Sequence, residues 1–254
     1  MGRATEIAGG VRIRVRYLDD TGGAPRWSPV ATAANARRAA EDSTSIGFIG
    51  DLDSGATRVS LPITNQAEIP QVSPGSTALD LTGERYRPSG AQTFARIVPN
   101  DAVLRRGAAA LARRLGVAAS AVRTGSAPPR PPRECIAAAA ERYIVSPYRE
   151  PFRLGPRGKP FNRAYRARFD QPQPASAYGY EAMSLLLSSI RRAGSESADR
   201  ESVAAEVLAT RGRRSVIGDY SLEDSGDTTL RLVTAYSIDA CRLAYLKELR
   251  VPAP

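Results

Sequence analysis

The stretch Ser45–Thr77, SIGFIGDLDSGATRVSLPITNQAEIPQVSPGST, constrains the fold more than any other part of the chain. Ile46–Ile49 is a short apolar run closed by Gly50, the pattern of a strand buried on both faces. Asp51–Gly55 is a turn-rich loop in which Ser54 suits a helix N-cap. Over 56–67 the apolar residues Val59, Leu61, Ile63 and Ala67 recur at helical spacing, with Arg58 and Gln66 outside. Ile69–Val72 reads as the next strand, and Ser73–Thr77 as the next loop. Two neighbouring parallel strands then end in two polar, glycine-bearing loops on one edge of a sheet. Ligands of open α/β sheets sit outside that edge. A helix N-terminus there offers free N–H groups, which suit a carboxylate or a phosphate.

The rest of the chain extends this pattern. Met1–Gly10 reads as the tail of a helix stopped by Gly9-Gly10. Val11, Ile13, Val15 and Tyr17 alternate with Arg12, Arg14 and Arg16, the signature of a half-exposed edge strand. Ser28-Pro29 is a helix start, an N-cap followed by proline at the first helical position. The alternation of strands and helices predicts an α/β layer. Parallel strands are expected near 11–17, 46–50, 69–73 and 94–98. Helices are expected near 30–42, 55–67, 101–115, 158–169, 176–193 and 199–210. Residues 125–133 are rich in proline and arginine and read as an extended linker. Short strand patterns return at 142–145 and 230–238.

Composition enters where chemistry is at issue. The 254 residues, 42% hydrophobic, suffice for one large or two small domains. Histidine is absent, which removes imidazole base catalysis, the Ser-His-Asp triad and histidine metal sites. We expect no enzyme, no cofactor and no resident metal. The formal net charge is +10, and only Lys159 and Lys247 among the basic residues are lysines. The arginine pairs at 105–106, 113–114, 191–192 and 213–214 are interleaved with acids and alanines, without a nucleic-acid-binding signature. Solvated helix faces account for most of them, and a basic nucleic-acid-associated protein is the least favoured alternative. Two cysteines, Cys135 and Cys241, fit buried thiols better than a disulfide. No apolar run reaches the ~18 residues of a membrane span. Met1–Gly10 has no apolar core of a signal peptide, so the chain as written would stay in the cytoplasm.

A resemblance adds to this reading. IGFIGDLDSGAT followed by IPQVSPGSTALDLT is similar to the first lobe of the branched-chain amino acid (leucine/isoleucine/valine) binding proteins of ABC transporters. TFARIVPNDAVLRRGAAALARRLG at 93–116 resembles the family's next strand and helix. FNRAYRARF at 161–169, YGYEAMSLLLSSIRRAG at 178–194 and GDYSLEDSGDTT at 218–229 resemble its C-terminal helices and closing turn. The resemblance implies a type I periplasmic binding protein fold: a parallel sheet flanked by helices, with a second lobe. It implies residues 1–122 as first lobe and 123–134 as a linker in place of most of lobe two. Residues 135–150 and 229–254 would be remnants of lobe two, and 151–228 helices returning to the first lobe. The family's first strand and several βα units of lobe two have no counterpart in this sequence.

The resemblance also assigns a site. Ser54 and Thr77 match positions that hold the α-carboxylate and α-ammonium of a bound amino acid, with the backbone of Gly55 beside them. Gly75 matches a position whose carbonyl takes an ammonium hydrogen bond. On local sequence alone Ser54 only caps a helix and Thr77 only closes a turn. The acid and aromatics of the family's second lobe have no matching position. Glu223–Asp227, EDSGD, has the look of half a calcium loop, and the resemblance makes it an ordinary turn. The implied function is a solute-binding component that delivers an amino acid to a membrane permease from outside the cytoplasm. The alternative is a truncated, one-lobed binding or scaffold protein without transport function.

Overall fold

A computed structural model describes residues 5–8, 11–125, 142–239 and 242–253. The chain opens with β1 (Thr5–Ala8) and β2 (Val11–Arg14), paired antiparallel. Two expectations fail here. Residues 5–8 are strand rather than helix, and 11–14 join a hairpin rather than the parallel sheet. The alternation survives in β2, since Arg12 and Arg14 are exposed while Ile13 packs on the main core. Tyr17, expected on the apolar face, lies beyond the strand and is exposed. Then follows α1 (Pro29–Glu41), whose N-cap Ser28 accepts the Ala31 N–H, as the Ser-Pro start predicts.

The organising stretch folds as strand, loop, helix, strand. β3 (Phe48–Ile49), α2 (Ser54–Gln66), β4 (Gln71–Ser73) and β5 (Phe94–Arg96) give a three-stranded parallel sheet in the order β3-β4-β5. β4 and β5 are buried along their length. Residues 46–49 are only half-buried, although the other edge strand, β5, is fully covered. α2 also differs from its apolar pattern. Its buried face is Ala56, Thr57, Ser60, Leu61, Thr64 and Asn65, while Val59 and Ile63 are half-buried.

α3 (Asp101–Leu115) starts at Asn100, whose side chain accepts the Ala102 and Val103 N–H groups. It ends at Gly116 in the left-handed region, φ 64°, the usual glycine helix stop. After it come β6 (Val122–Thr124) and β7 (Tyr143–Ser146), paired in parallel. Residues 123 and 124, expected to begin the linker, are therefore strand. Most of that linker, and Cys135 and Cys241, lie outside the described residues. The chain continues through α4 (Gly155–Arg166), α5 (Ser176–Ala193) and α6 (Arg200–Leu208). A small hairpin follows, β8 (Arg213–Ser215) with β9 (Gly218–Tyr220). β10 (Leu232–Asp239) and β11 (Arg242–Arg250) close a second sheet, ordered β11-β10-β7-β6.

Two cores match the two sheets. Val72, Ala95 and Ile97 of the parallel sheet pack with Tyr178, Ala182, Leu185 and Ile190 of α5 and Val203 and Val207 of α6. Helices after residue 151 thus pack on the parallel sheet. Val103, Leu104 and Leu111 of α3 pack instead with Val145, Val233 and Ala235 of the second sheet. Gly107 permits that approach, because a Cβ there would stand 2.9 Å from Val233 Cγ2. Charged groups join the parts. Arg149, after β7, pairs with Glu248 of β11 at 2.7 Å and donates to the Ile217 carbonyl. Glu181 of α5 meets Arg213 of β8 and the Tyr220 hydroxyl of β9.

Candidate functional site

The loops after β3 and β4 lie side by side at the carboxyl edge of the parallel sheet. Asp53, not Ser54, caps α2: its carboxylate accepts the Gly55 N–H at 2.7 Å. The helix starts one residue earlier than expected, so Ser54 is free for another task. Its Oγ accepts the N–H of Thr77 at 3.1 Å and of Ala78 at 3.2 Å, across 23 and 24 residues of chain. The sequence singled out these two loops, and Ser54 ties them together. The Thr77 carbonyl accepts the Asp101 N–H at 2.8 Å, which fixes the second loop to the start of α3.

The four singled-out residues share this edge but do not line an open cleft. Thr77 is 4% exposed and Gly75 is buried. A Cβ on Gly75 would stand 2.5 Å from the Leu52 carbonyl oxygen and 2.6 Å from the Tyr148 hydroxyl, so both lie directly over it. A Cβ on Gly55 would stand 2.5 Å from Trp27 Cζ2, so the indole covers that glycine. Both glycines are needed for close approach.

Beneath the edge lies a polar layer that hydrophobic periodicity did not reveal. Ser60 donates to the Asp51 carboxylate. Gln71 Nε2 donates to Ser60 Oγ at 2.9 Å and to the Gly50 carbonyl at 3.1 Å, and Thr64 donates to Gln71 Oε1. The hydroxyls of Ser73 and Ser76 donate to the Asp51 carbonyl at 2.7 and 3.1 Å. Burial pushes the Asp51 carboxyl up to about 6; the Ser60 hydrogen bond opposes this, and the charges of Asp20 and Asp53 add to it. The only advance signal was the run of Ser and Thr on the inner face of α2.

Arg96 braces the second loop from behind. It is fully buried, donates to the carbonyls of Ser76 and Ala78, and pairs with Asp227. Asn100 Nδ2 donates to the other oxygen of Asp227 at 3.2 Å. Of the three carboxylates in the EDSGD turn, Asp227 is thus committed to Arg96 and Asn100, Asp224 pairs with Arg211 and Glu223 with Arg231, and the turn clamps the second loop.

Comparison with known proteins places this geometry. No protein-family model matches the chain, and no curated protein matches it. Solved structures do. The leucine binding protein LivK of Thermotoga maritima superposes with a TM-score of 0.74 at 17% identity, over 96% of this chain and 89% of that one. An ABC transporter substrate-binding protein of Desulfitobacterium hafniense, in complex with Leu, gives 0.73 at 18%, over 94% and 90%. A solute binding protein of an ABC transporter from Rhodopseudomonas palustris BisB5, in complex with 3,4-dihydroxy benzoic acid, gives 0.72 at 14%, over 98% and 89%.

The chain has the type I periplasmic binding protein fold.

Within this fold the Ser54 and Thr77 loops stand at the carboxyl edge of the parallel sheet. Two open surface depressions, of about 400 and 480 Å³, lie elsewhere. They are bordered by Ala40, Ala67 and Arg200, and by Pro62, Ile63 and Pro88, at the far ends of α1 and α2. Arg200 is committed there, since it donates to the carbonyls of Asp42, Ser45 and Ala67. Among the described residues no helix is long and apolar enough to cross a membrane.

Proposed function

We propose that the chain is the solute-binding component of an ABC transporter for a branched-chain or related amino acid. It acts outside the cytoplasm beside a membrane permease, and it is not an enzyme. The observation that carries this reading is the convergence on Ser54. Two backbone N–H groups from the second loop point at one oxygen at the N-terminus of α2. A carboxylate oxygen placed there receives those N–H groups in place of Ser54 Oγ. The Ser54 hydroxyl then turns to donate to the ligand, and the helix N-terminus favours the negative charge.

Leu and 3,4-dihydroxy benzoic acid, the ligands of two proteins of like fold, have a carboxylate in common. The reading therefore ties recognition to that group, with the side chain chosen by the surrounding walls. Calorimetry with leucine, isoleucine, valine and leucinamide tests it. We expect heat from the three acids, none from leucinamide, and loss of the signal in Ser54→Ala. Leucinamide binding as well as leucine would remove the carboxylate from the argument.

A further inference from the structure

We propose that the Tyr148 hydroxyl is a ligand-contacting group of the same site, donating a hydrogen bond to the carboxylate end of the solute. This rests on the reading of Ser54 and Thr77 given above. Tyr148 follows β7 and reaches the first sheet from the second. Its side chain is fully buried, and its ring meets Tyr178 edge-on with centroids 5.0 Å apart. The ring packs in the main apolar core, yet among the described residues its hydroxyl has no hydrogen-bond partner. The hydroxyl stands over Gly75, two residues before Thr77 and on the same loop.

A buried hydroxyl without a partner costs stability, and a phenylalanine would fill the same space without that cost. Neighbouring Tyr178 shows the ordinary solution: its hydroxyl donates to the Pro147 carbonyl at 3.1 Å and accepts the Arg149 N–H at 3.2 Å. Tyr148 has no such arrangement, and its oxygen faces the edge where two backbone N–H groups already converge. Burial also holds its proton firmly, so it remains a neutral donor across the physiological range. A neutral donor suits an anionic oxygen. Leu52 is the remaining obstacle. Its carbonyl oxygen and its side chain both lie over Gly75; the side chain, on a residue 43% exposed, can swing outward, and the loop that carries the carbonyl has to shift with it to admit a solute.

The experiment compares the parent chain with Tyr148→Phe and Ser54→Ala, using leucine and benzoate as probes in calorimetry and in thermal shift at millimolar concentration. We expect Tyr148→Phe to weaken the bound probe about tenfold, the value of one hydrogen bond to a charged group. We also expect its ligand-free melting temperature to be unchanged or higher, because no structural bond is lost. Tyr148→Phe binding as tightly as the parent, with Ser54→Ala inactive, overturns this inference and leaves the proposed site standing. Insensitivity of binding to both substitutions overturns the site itself. A lower ligand-free melting temperature in Tyr148→Phe shows a structural partner for the hydroxyl and overturns the inference. Failure of both probes to bind the parent overturns both.

Discussion

Asp51 shows how a single residue couples the site to pH. Its carboxyl is buried at the end of β3, with the Ser60 hydroxyl as its side-chain donor. Its folded pKa is raised from 3.8 to about 6. A raised acid binds its proton more tightly in the folded state. Between about pH 4 and pH 6 the folded chain therefore holds more protons than the unfolded one, and stability falls as pH rises through that window. That tighter hold on the proton corresponds to about 3 kcal/mol, fully felt above pH 6. Asp51→Asn removes the charge and keeps the shape. We expect it to stabilise the protein at pH 7.5 by about 1–3 kcal/mol and to change little at pH 4.5. Urea unfolding at both pH values measures this, and equal effects at the two would show that Asp51 is not buried as an acid. Arg96 is the opposite case, a buried charge with partners. Arg96→Met leaves Asp227 without its guanidinium and frees the carbonyls of Ser76 and Ala78. We expect a loss of about 3–5 kcal/mol by denaturant unfolding, together with loss of any ligand binding.

At the scale of elements, the clamp on the second loop rests on a close approach of backbones. Gly226 has φ 87°, its carbonyl accepts the Arg96 N–H at 3.0 Å, and a Cβ there would stand 2.0 Å from the Phe94 carbonyl oxygen. Gly226→Ala should cost at least about 2 kcal/mol and shift the turn that carries Asp227. A melting temperature equal to the parent's would show that the turn is not fixed against β5. The start of α1 was legible in the sequence because Ser28-Pro29 is chemical punctuation that the structure uses. α4 and α5 start without a side-chain cap, and only their periodic pattern marked them. The parallel strands were legible because buried runs such as Gln71–Ser73 sit between helical patterns. The N-terminal hairpin was not, since alternation in 11–17 fixes a strand but not its partner. The inner face of α2 was not, since Thr57, Ser60 and Thr64 bond to Ser76, Asp51 and Gln71 in the polar layer rather than packing by apolar contact. The two loops were legible from the strand pattern, while the bonds from Thr77 and Ala78 to Ser54 were not, because Ser54 reads locally as the cap of α2 and Asp53 takes that place. The covering of Gly75 by Tyr148 was not, because it joins residues 73 apart and depends on how the two sheets pack.

The whole molecule sets how tightly anything binds. Affinity depends on the same architecture. A solute at Ser54 and Thr77 gains hydrogen bonds to its carboxylate from Thr77, Ala78 and the α2 N-terminus. It first has to displace Leu52, which lies over Gly75. Its side chain then meets a site with Thr77 already 4% exposed, and so with little room to enclose it. Enclosing a leucine-sized side chain contributes about 1.5–3 kcal/mol. Losing that contribution weakens binding by about one to two decades, at 1.4 kcal/mol per decade. The ammonium fares no better: in the first loop the Asp51 carboxyl is buried against Ser60, and Asp53 lies on the exposed side as the cap of α2. A missing charge-assisted hydrogen bond there weakens binding further. We therefore expect leucine, isoleucine and valine to bind this chain at least one to two decades more weakly than a protein of like fold that encloses the side chain. Leu52→Ala should recover part of the difference by removing the side-chain part of the cover, while the backbone carbonyl at 52 stays over Gly75. Calorimetry of both chains decides it: tight saturable binding by the parent, unchanged in Leu52→Ala, would show that the cover is no obstacle and that the edge opens into a full cleft in solution.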